Sequence, residues 1–144
     1  MSIKLTLDKG FEDMIADLEL SAKEVDRVAT ACINQNAQIM QSELKSAMSK
    51  SGVPGHLISE MPQFEVKAEG NVYEASVGYS KGAYDPRNPS TGYKVVFLNY
   101  GTPNRTKHGK VPEKGFIARA KRSAKPKMKK ANEAALKKIL GRID

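Results

Sequence analysis

The sequence predicts an α+β fold, in which a long N-terminal helix and a C-terminal helix pack on a small antiparallel β-sheet of three to four strands. Three observations carry this expectation. Apolar residues recur at helical spacing through much of 8–50, polar and apolar residues alternate on both sides of Gly70 and Asn71, and a second helical pattern begins at Phe116. At 144 residues, 40% hydrophobic and 28% charged, the chain has the length of a single domain with one modest core. The expected division is a helical region at 8–50, an antiparallel sheet at 63–100 with a loop at 78–92, a basic loop at 101–115, and a C-terminal helix at 116–141. There is no charged-then-apolar leader and no apolar run near the ~18 residues of a membrane helix. The expectation is a cytoplasmic protein without membrane contact.

Taken in order, Ile3, Leu5 and Leu7 alternate with Lys4 and Thr6, and Asp8 can cap a helix whose buried face is Phe11, Met14, Ile15 and Leu18. Ser21 and Glu24 form a capping box that restarts the helix. From there Val25, Val28, Ala29, Cys32, Asn36, Ile39 and Met40 lie near one stripe, widened by Ile33, Ala37, Leu44, Ala47 and Met48. A helix over 22–49 is roughly 40 Å long at 1.5 Å per residue, longer than a domain this size needs, so part of its face can serve a neighbouring subunit. Gln35, Asn36, Gln38 and Gln41 read as a solvated face. Cys32, the single cysteine, reads as a small buried apolar residue.

Gly52, Pro54, Gly55 and Pro62 limit the next segment to a short turn around 56–61, and His56 has no ligand-spaced partner. Phe64, Val66 and Ala68, then Tyr73, Ala75 and Val77, give a hairpin with one buried face. The run Tyr93, Lys94, Val95, Val96, Phe97, Leu98 is expected to close the sheet as a strand ending at Gly101. After Phe116, Met128, Ala131, Ala135 and Ile139 form the helical stripe. Pro126 predicts a break or kink near 124–126, since proline costs ~3 kcal/mol in a helix interior. The expected core includes Phe11, Ile15, Val28, Cys32, Ile39, Phe64, Val66, Val95, Phe97 and Phe116.

Charge is distributed unevenly. The formal net charge is +8, but residues 101–144 carry 14 Lys or Arg against three acids, whereas residues 1–100 carry 10 against 13. A basic C-terminal pole therefore faces an acidic N-terminal one, with Asp8, Glu12, Asp13, Asp17, Glu19, Glu24 and Asp26 between residues 8 and 26. Head-to-tail contact between unlike patches closes into a ring when the rotation allows. No catalytic constellation is present in the sequence: there is no phosphate-binding Gly-rich loop, no zinc-protease helix motif and no nucleophile in a recognisable turn. An enzyme is not expected, and no catalytic, cofactor-binding or metal-binding residue is assigned. The alternative to an assembly protein is a small cytoplasmic nucleic-acid-binding protein using the basic C-terminal helix. Such binding is salt-dependent and indifferent to sequence, because counterion release supplies it, and a dedicated reader is disfavoured because the chain has no Trp and residues 103–114 have no aromatic for base stacking.

The stretch with most character runs through Asn99, Tyr100, Gly101 and Thr102, a polar basic loop, and then Gly115, Phe116, Ile117, Ala118, Arg119 and Ala120. A strand closing on a Tyr/Glu-x-Gly-Thr turn, a variable loop, and a Pro/Gly-Phe-hydrophobic-x-x-Ala helix start resembles the head-tail joining and tail-completion (neck, minor tail) proteins of long-tailed bacteriophages and prophages. Many members carry an acid where Asn99 stands and a proline where Gly115 and Arg119 stand. Gly55, His56, Leu57 and Ile58 are similar to the family's Gly-x-Leu step. The resemblance implies a structural virion-assembly protein at the head-tail junction, present in the bacterial cytoplasm during assembly. It implies a ring homo-oligomer, a hexamer if it matches tail symmetry. The implied partners are a head connector or adaptor and tail tube proteins, with non-specific DNA contact in the channel. On that reading Arg105, Lys107, His108, Lys110 and Lys114, with Tyr84 and Arg87 of the 78–92 loop, reach neighbours or the channel. Tyr100, Gly101, Thr102 and Phe116 make the turn motif.

Overall fold

A computed structural model describes residues 2–7, 11, 13, 15, 21–69, 72–79, 91–101 and 113–143, with the backbone alone at 69, 93 and 139–143. The fold is α+β: strand β1 (Ser2–Thr6), helix α1 (Ala22–Lys50), a short helix α2 (Gly55–Ser59), strands β2 (Glu65–Glu69) and β3 (Val72–Gly78), helix α3 (Thr91–Tyr100) and helix α4 (Phe116–Ile143). The strands form one antiparallel sheet in the order β1-β3-β2. Ile3 pairs with Val77 and Leu5 with Ala75, while on the other side Val66 also pairs with Ala75. Odd-numbered residues of β1 and β3 therefore share the face that meets α1, as the alternation requires.

Helix α1 starts at the capping box. The Glu24 amide donates to Ser21 Oγ (3.3 Å) and the Ser21 amide donates to the Glu24 carboxylate (3.3 Å), satisfying two amides that the first turn would otherwise leave open. It ends at Ser51, whose hydroxyl and amide both donate to the Ala47 carbonyl, followed by Gly52 at φ 76. Along its length Ile33, Ala37, Met40, Leu44 and Met48 pack with Ile3, Ala75 and Val77 of the sheet, with Leu57 and Val95, and with Phe116, Ala120 and Ala124 of α4. Nearer its start, Val28, Ala29 and Cys32 pack with Phe11, Ile15 and Leu136. Of the expected core, Phe11, Ile15, Val28, Cys32, Val95 and Phe116 are buried, whereas Ile39, Phe64, Val66 and Phe97 are half-buried. Phe11, Asp13 and Ile15 are helical; the rest of 8–20 and the hairpin turn at 70–71 lie outside the described residues.

Three expectations are corrected. The run at 93–99 is part of helix α3, not a strand. Its buried positions are Gly92, Val95 and Asn99, the i, i+3, i+7 pattern of a helix, and the third strand of the sheet is β1, which occupies the side of β3 opposite β2. The C-terminal helix is continuous, with Pro126 inside it. Pro126 is exposed, so the Arg122 carbonyl it leaves without a helical amide lies on the solvent side, while Ala120, Ala124 and Leu136 hold the opposite face in the core. Finally, Asn36 and Gln41 are buried, not solvated. Gln41 Nε2 donates to the Pro62 carbonyl (3.2 Å), which ties α1 to the segment leading into β2. Gln35 and Gln38 are exposed as expected.

Pro126→Ala restores the missing helical amide and removes the ring's clash, and should raise the thermal unfolding midpoint, by up to ~3 kcal/mol of stability; circular dichroism melts of the two proteins check this. A second expectation concerns alkaline pH. Burial pushes the Tyr79 phenol, whose hydroxyl donates to the Leu57 carbonyl (2.6 Å), from 10.0 to about 12, with the charge of Glu60 adding to the shift. Burial likewise pushes the Cys32 thiol from 9.0 to about 11. Both folded values lie above the unfolded ones. Their contribution is complete below pH 9 and is lost progressively as pH rises through about 11 and then about 12. In denaturant titrations across that range, Tyr79→Phe should flatten the upper part of the decline, and at neutral pH it should cost about 1 kcal/mol for the lost hydrogen bond.

Candidate functional site

The turn motif sits where the end of α3 meets the start of α4. A helix leaves its last carbonyls and its first amides without partners, and here the two ends supply each other. The Gly101 amide donates to the Phe97 carbonyl (2.8 Å), the Lys114 amide to Leu98 (3.1 Å) and the Gly115 amide to Asn99 (3.0 Å). In return the buried Asn99 side chain accepts from the Ile117 amide of α4 through Oδ1 (2.9 Å). Asn99 therefore serves through its backbone as the end of one helix and through its side chain as the cap of the next. The negative end of α3's dipole also faces the positive end of α4's, a favourable arrangement.

Two glycines make this geometry possible. Gly101 has φ 79 and Gly115 has φ 60, both in the left-handed region that other residues enter at a cost of roughly 1–2 kcal/mol. Phe116, fully buried, follows immediately and anchors the start of α4 in the core. Arg119 fastens the same corner from outside: its guanidinium donates to the Lys114 carbonyl and to the Ser51 hydroxyl at the end of α1. Three helix termini thus converge on one corner, at Ser51, at Asn99 to Gly101 and at Lys114 to Ile117.

Of the residues predicted to act, Lys114, Tyr100, Gly101 and Phe116 fall in this corner. Tyr100 is 64% exposed and, with Val72, is one of two large apolar side chains exposed among the described residues. Thr102, Arg105, Lys107, His108 and Lys110 lie outside the described residues, as do Tyr84 and Arg87. Sequence reasoning missed Asn99 as the capping group, and missed Ser51 and Arg119. One signal was available: α4 opens after Gly115, which has no side chain able to cap it, so a cap had to come from elsewhere.

The other prominent feature is the surface of α4. Arg119, Lys121, Arg122, Lys125, Lys127, Lys129, Lys130, Lys137 and Lys138 are all exposed, against Glu133 as the one acid of the helix's described side chains. Lys127 pairs with Glu43 of α1. Between the C-terminal half of α1 and the N-terminal half of α4 lies a crevice of about 400 Å³ lined by Glu43, Ser46, Lys50, Arg119, Arg122 and Ser123. A second, more apolar cavity of about 300 Å³ lies between Leu5, Leu7, Phe11 and Met128, and the side-chain oxygens of Asn36 and Asn132 on its wall are buried without a hydrogen-bond partner. No group of His, Cys, Asp and Glu able to hold a metal ion occurs among the described residues. No helix among them is long and apolar enough to cross a membrane. No family model, curated protein or solved structure matches the chain.

Asn99→Ala should leave the Ile117 amide buried without an acceptor and cost about 1–3 kcal/mol. Asn99→Asp, which keeps an acceptor at the positive end of α4, should cost less than the alanine variant at neutral pH. Chemical denaturation of the three proteins ranks them; equal losses for Ala and Asp would remove the side-chain oxygen from its capping role.

Proposed function

We propose that this chain is a structural assembly protein of a bacteriophage or prophage, a neck or tail-completion component at the head-tail junction that works through ring-forming contacts between copies. The observation that carries the reading is the corner built on Asn99. Left-handed glycines, a buried amide and the ends of three helices hold together residues 99–101 and 114–117, on either side of the stretch that carries Arg105, Lys107, His108 and Lys110. A domain that holds the base of a basic loop so firmly is suited to presenting that loop to a partner, since connections of this length are uncommon without a function. Of the pieces the reading draws on, Asn99 to Gly101 and Gly115 to Ala120 meet at this corner.

The charge distribution supplies the means of association. Asp13 and Asp26 are exposed on the acidic side of the molecule, and the exposed face of α4 is cationic. Contact between unlike surfaces of successive copies is heterologous and closes into a ring when the rotation permits. The sheet adds a further surface, because β1 and β2 are edge strands with room for pairing. Partners on this reading are other copies of the chain, a head connector or adaptor above and the tail tube below.

Light scattering on the purified protein, over a concentration series and at low and high salt, tests the reading. The expected result is a discrete closed oligomer, a hexamer on the symmetry argument, that dissociates as salt screens the charged contacts. Reversal of Arg105, Lys107 and Lys110 to glutamate should give a folded monomer with an unchanged circular dichroism spectrum. A wild-type protein that stays monomeric throughout would overturn the ring. A triple variant that assembles normally would overturn the role of the loop.

A further inference from the structure

We propose that the crevice between α1 and α4 is a binding site for the phosphodiester backbone of double-stranded nucleic acid, read by charge and without base contacts. Ser46 and Lys50 are one turn apart on α1; Arg119, Arg122 and Ser123 stand at i, i+3 and i+4 on α4; the two rows face one opening of about 400 Å³. Three cations and two hydroxyls therefore converge from two rigid elements. The crevice's acid, Glu43, is paired with Lys127 and does not oppose an incoming anion. Arg119 is held in place by its bonds to Ser51 and to the Lys114 carbonyl, which leaves Lys50 and Arg122, both exposed, as the groups to meet phosphate. Guanidinium and hydroxyl donors suit phosphate oxygens.

The crevice continues along the outer side of α4. Arg119, Arg122, Lys130 and Lys137 fall on one side of the helix at 3.6 residues per turn, and the row is roughly 27 Å long at 1.5 Å per residue. Such a track suits an extended polyanion better than a small one. The choice of nucleic acid over an acidic protein follows from what the face lacks. The centre of a protein interface is built on aromatic or aliphatic anchors. The large apolar side chains exposed among the described residues are Val72 and Tyr100, and neither belongs to α1 or α4. None of the described side chains on this face offers an anchor to a protein or a stacking platform to a base, so binding here is electrostatic and indifferent to sequence. The inference does not rest on ring assembly, because a single copy of the chain carries the whole crevice.

The test is fluorescence anisotropy with a labelled duplex of about 20 base pairs, titrated between roughly 50 and 200 mM salt, for three folded proteins: wild type, Lys50→Gln with Arg122→Gln, and Lys23→Gln with Arg27→Gln, an exposed pair at the far end of α1. The two double variants lose the same charge, so they separate a site from the general field of the protein. Expected is salt-dependent wild-type binding that is unaltered by changing the duplex sequence. The crevice variant should weaken binding at least tenfold, and its plot of log affinity against log salt should flatten by about 2, close to one released counterion per cation removed. The variant at 23 and 27 should lose distinctly less. Equal losses in the two variants would overturn the crevice as a site, and wild type that ignores the duplex at the lowest salt would overturn nucleic acid as the partner. An acidic polypeptide of matched charge that competes as well as unlabelled duplex would replace nucleic acid with a protein partner.

Discussion

The whole architecture depends on one helix being buried along more than one side. In α1 the buried positions are Val28, Ala29, Cys32, Ile33, Asn36, Ala37, Met40, Gln41, Leu44 and Met48, a band wider than the single stripe of a surface helix. One edge of that band covers the three-stranded sheet and the other receives α4. Strands of five to seven residues in a three-stranded sheet need such a cover to be stable. Ala120 and Ala124, fully buried on α4 in the same cluster as Ala37 and Leu44 of α1, allow the two long helices to approach closely. Small residues on the inner side of α4 and lysines on its outer side are therefore two consequences of the same placement.

The Asn99 corner answers a problem that this arrangement creates. Helix α4 must begin inside the core, because Phe116 is fully buried, yet the amides of its first turn need acceptors. Phe116 and Ile117 are both buried, and Gly115 has no side chain to offer. The terminal turn of α3 provides both acceptors and a polar side chain at the required place, and its own open carbonyls are filled by the backbone at 114 and 115. A buried asparagine next to an apolar helix end is costly when unpartnered, so the two helices are stable at this corner only together. That coupling makes residues 99–101 and 114–117 one unit.

How much of this was legible follows from how local each signal is. The limits of α1 could be read from Ser21, Glu24 and Gly52 because caps and stops act within one turn, and the hairpin could be read because its two halves sit either side of Gly70 and Asn71. The segment at 93–99 could not be read correctly. A short apolar run bounded by Gly92 and Gly101 satisfies the requirements of a buried strand and of a short buried helix equally, and β-branched Val95 and Val96 tip a propensity argument the wrong way. What decides between them is the place beside β3, taken by a strand some seventy residues earlier in the chain. Pro126 misled for a related reason: the rule against interior proline concerns local cost, whereas α4 is held by side chains on its opposite face. The opening of α4 at Phe116 could be read from its helical pattern, but the Asn99 side-chain bond spans 18 residues and has no local pattern.

The charge on α4 is larger than solubility requires. Lys121, Lys125 and Lys129 follow one another at four-residue spacing, where like charges destabilise a helix by roughly 0.2–0.5 kcal/mol per pair, and Arg119, Arg122 and Lys125 are neighbours at three. A helix selected only to stay in solution would place glutamates among them, as Glu133 stands between Lys129 and Lys137. In the first three turns of α4 there is no acid at all, and Lys127 reaches across to Glu43 of another helix for its partner. The repulsion is concentrated beside the crevice, where Lys50 adds to it from α1. An arrangement that costs stability in the isolated chain is relieved by a polyanion lying along it, and the relief is greatest at the end of α4 nearest the Asn99 corner, where both helices present cations to the same opening.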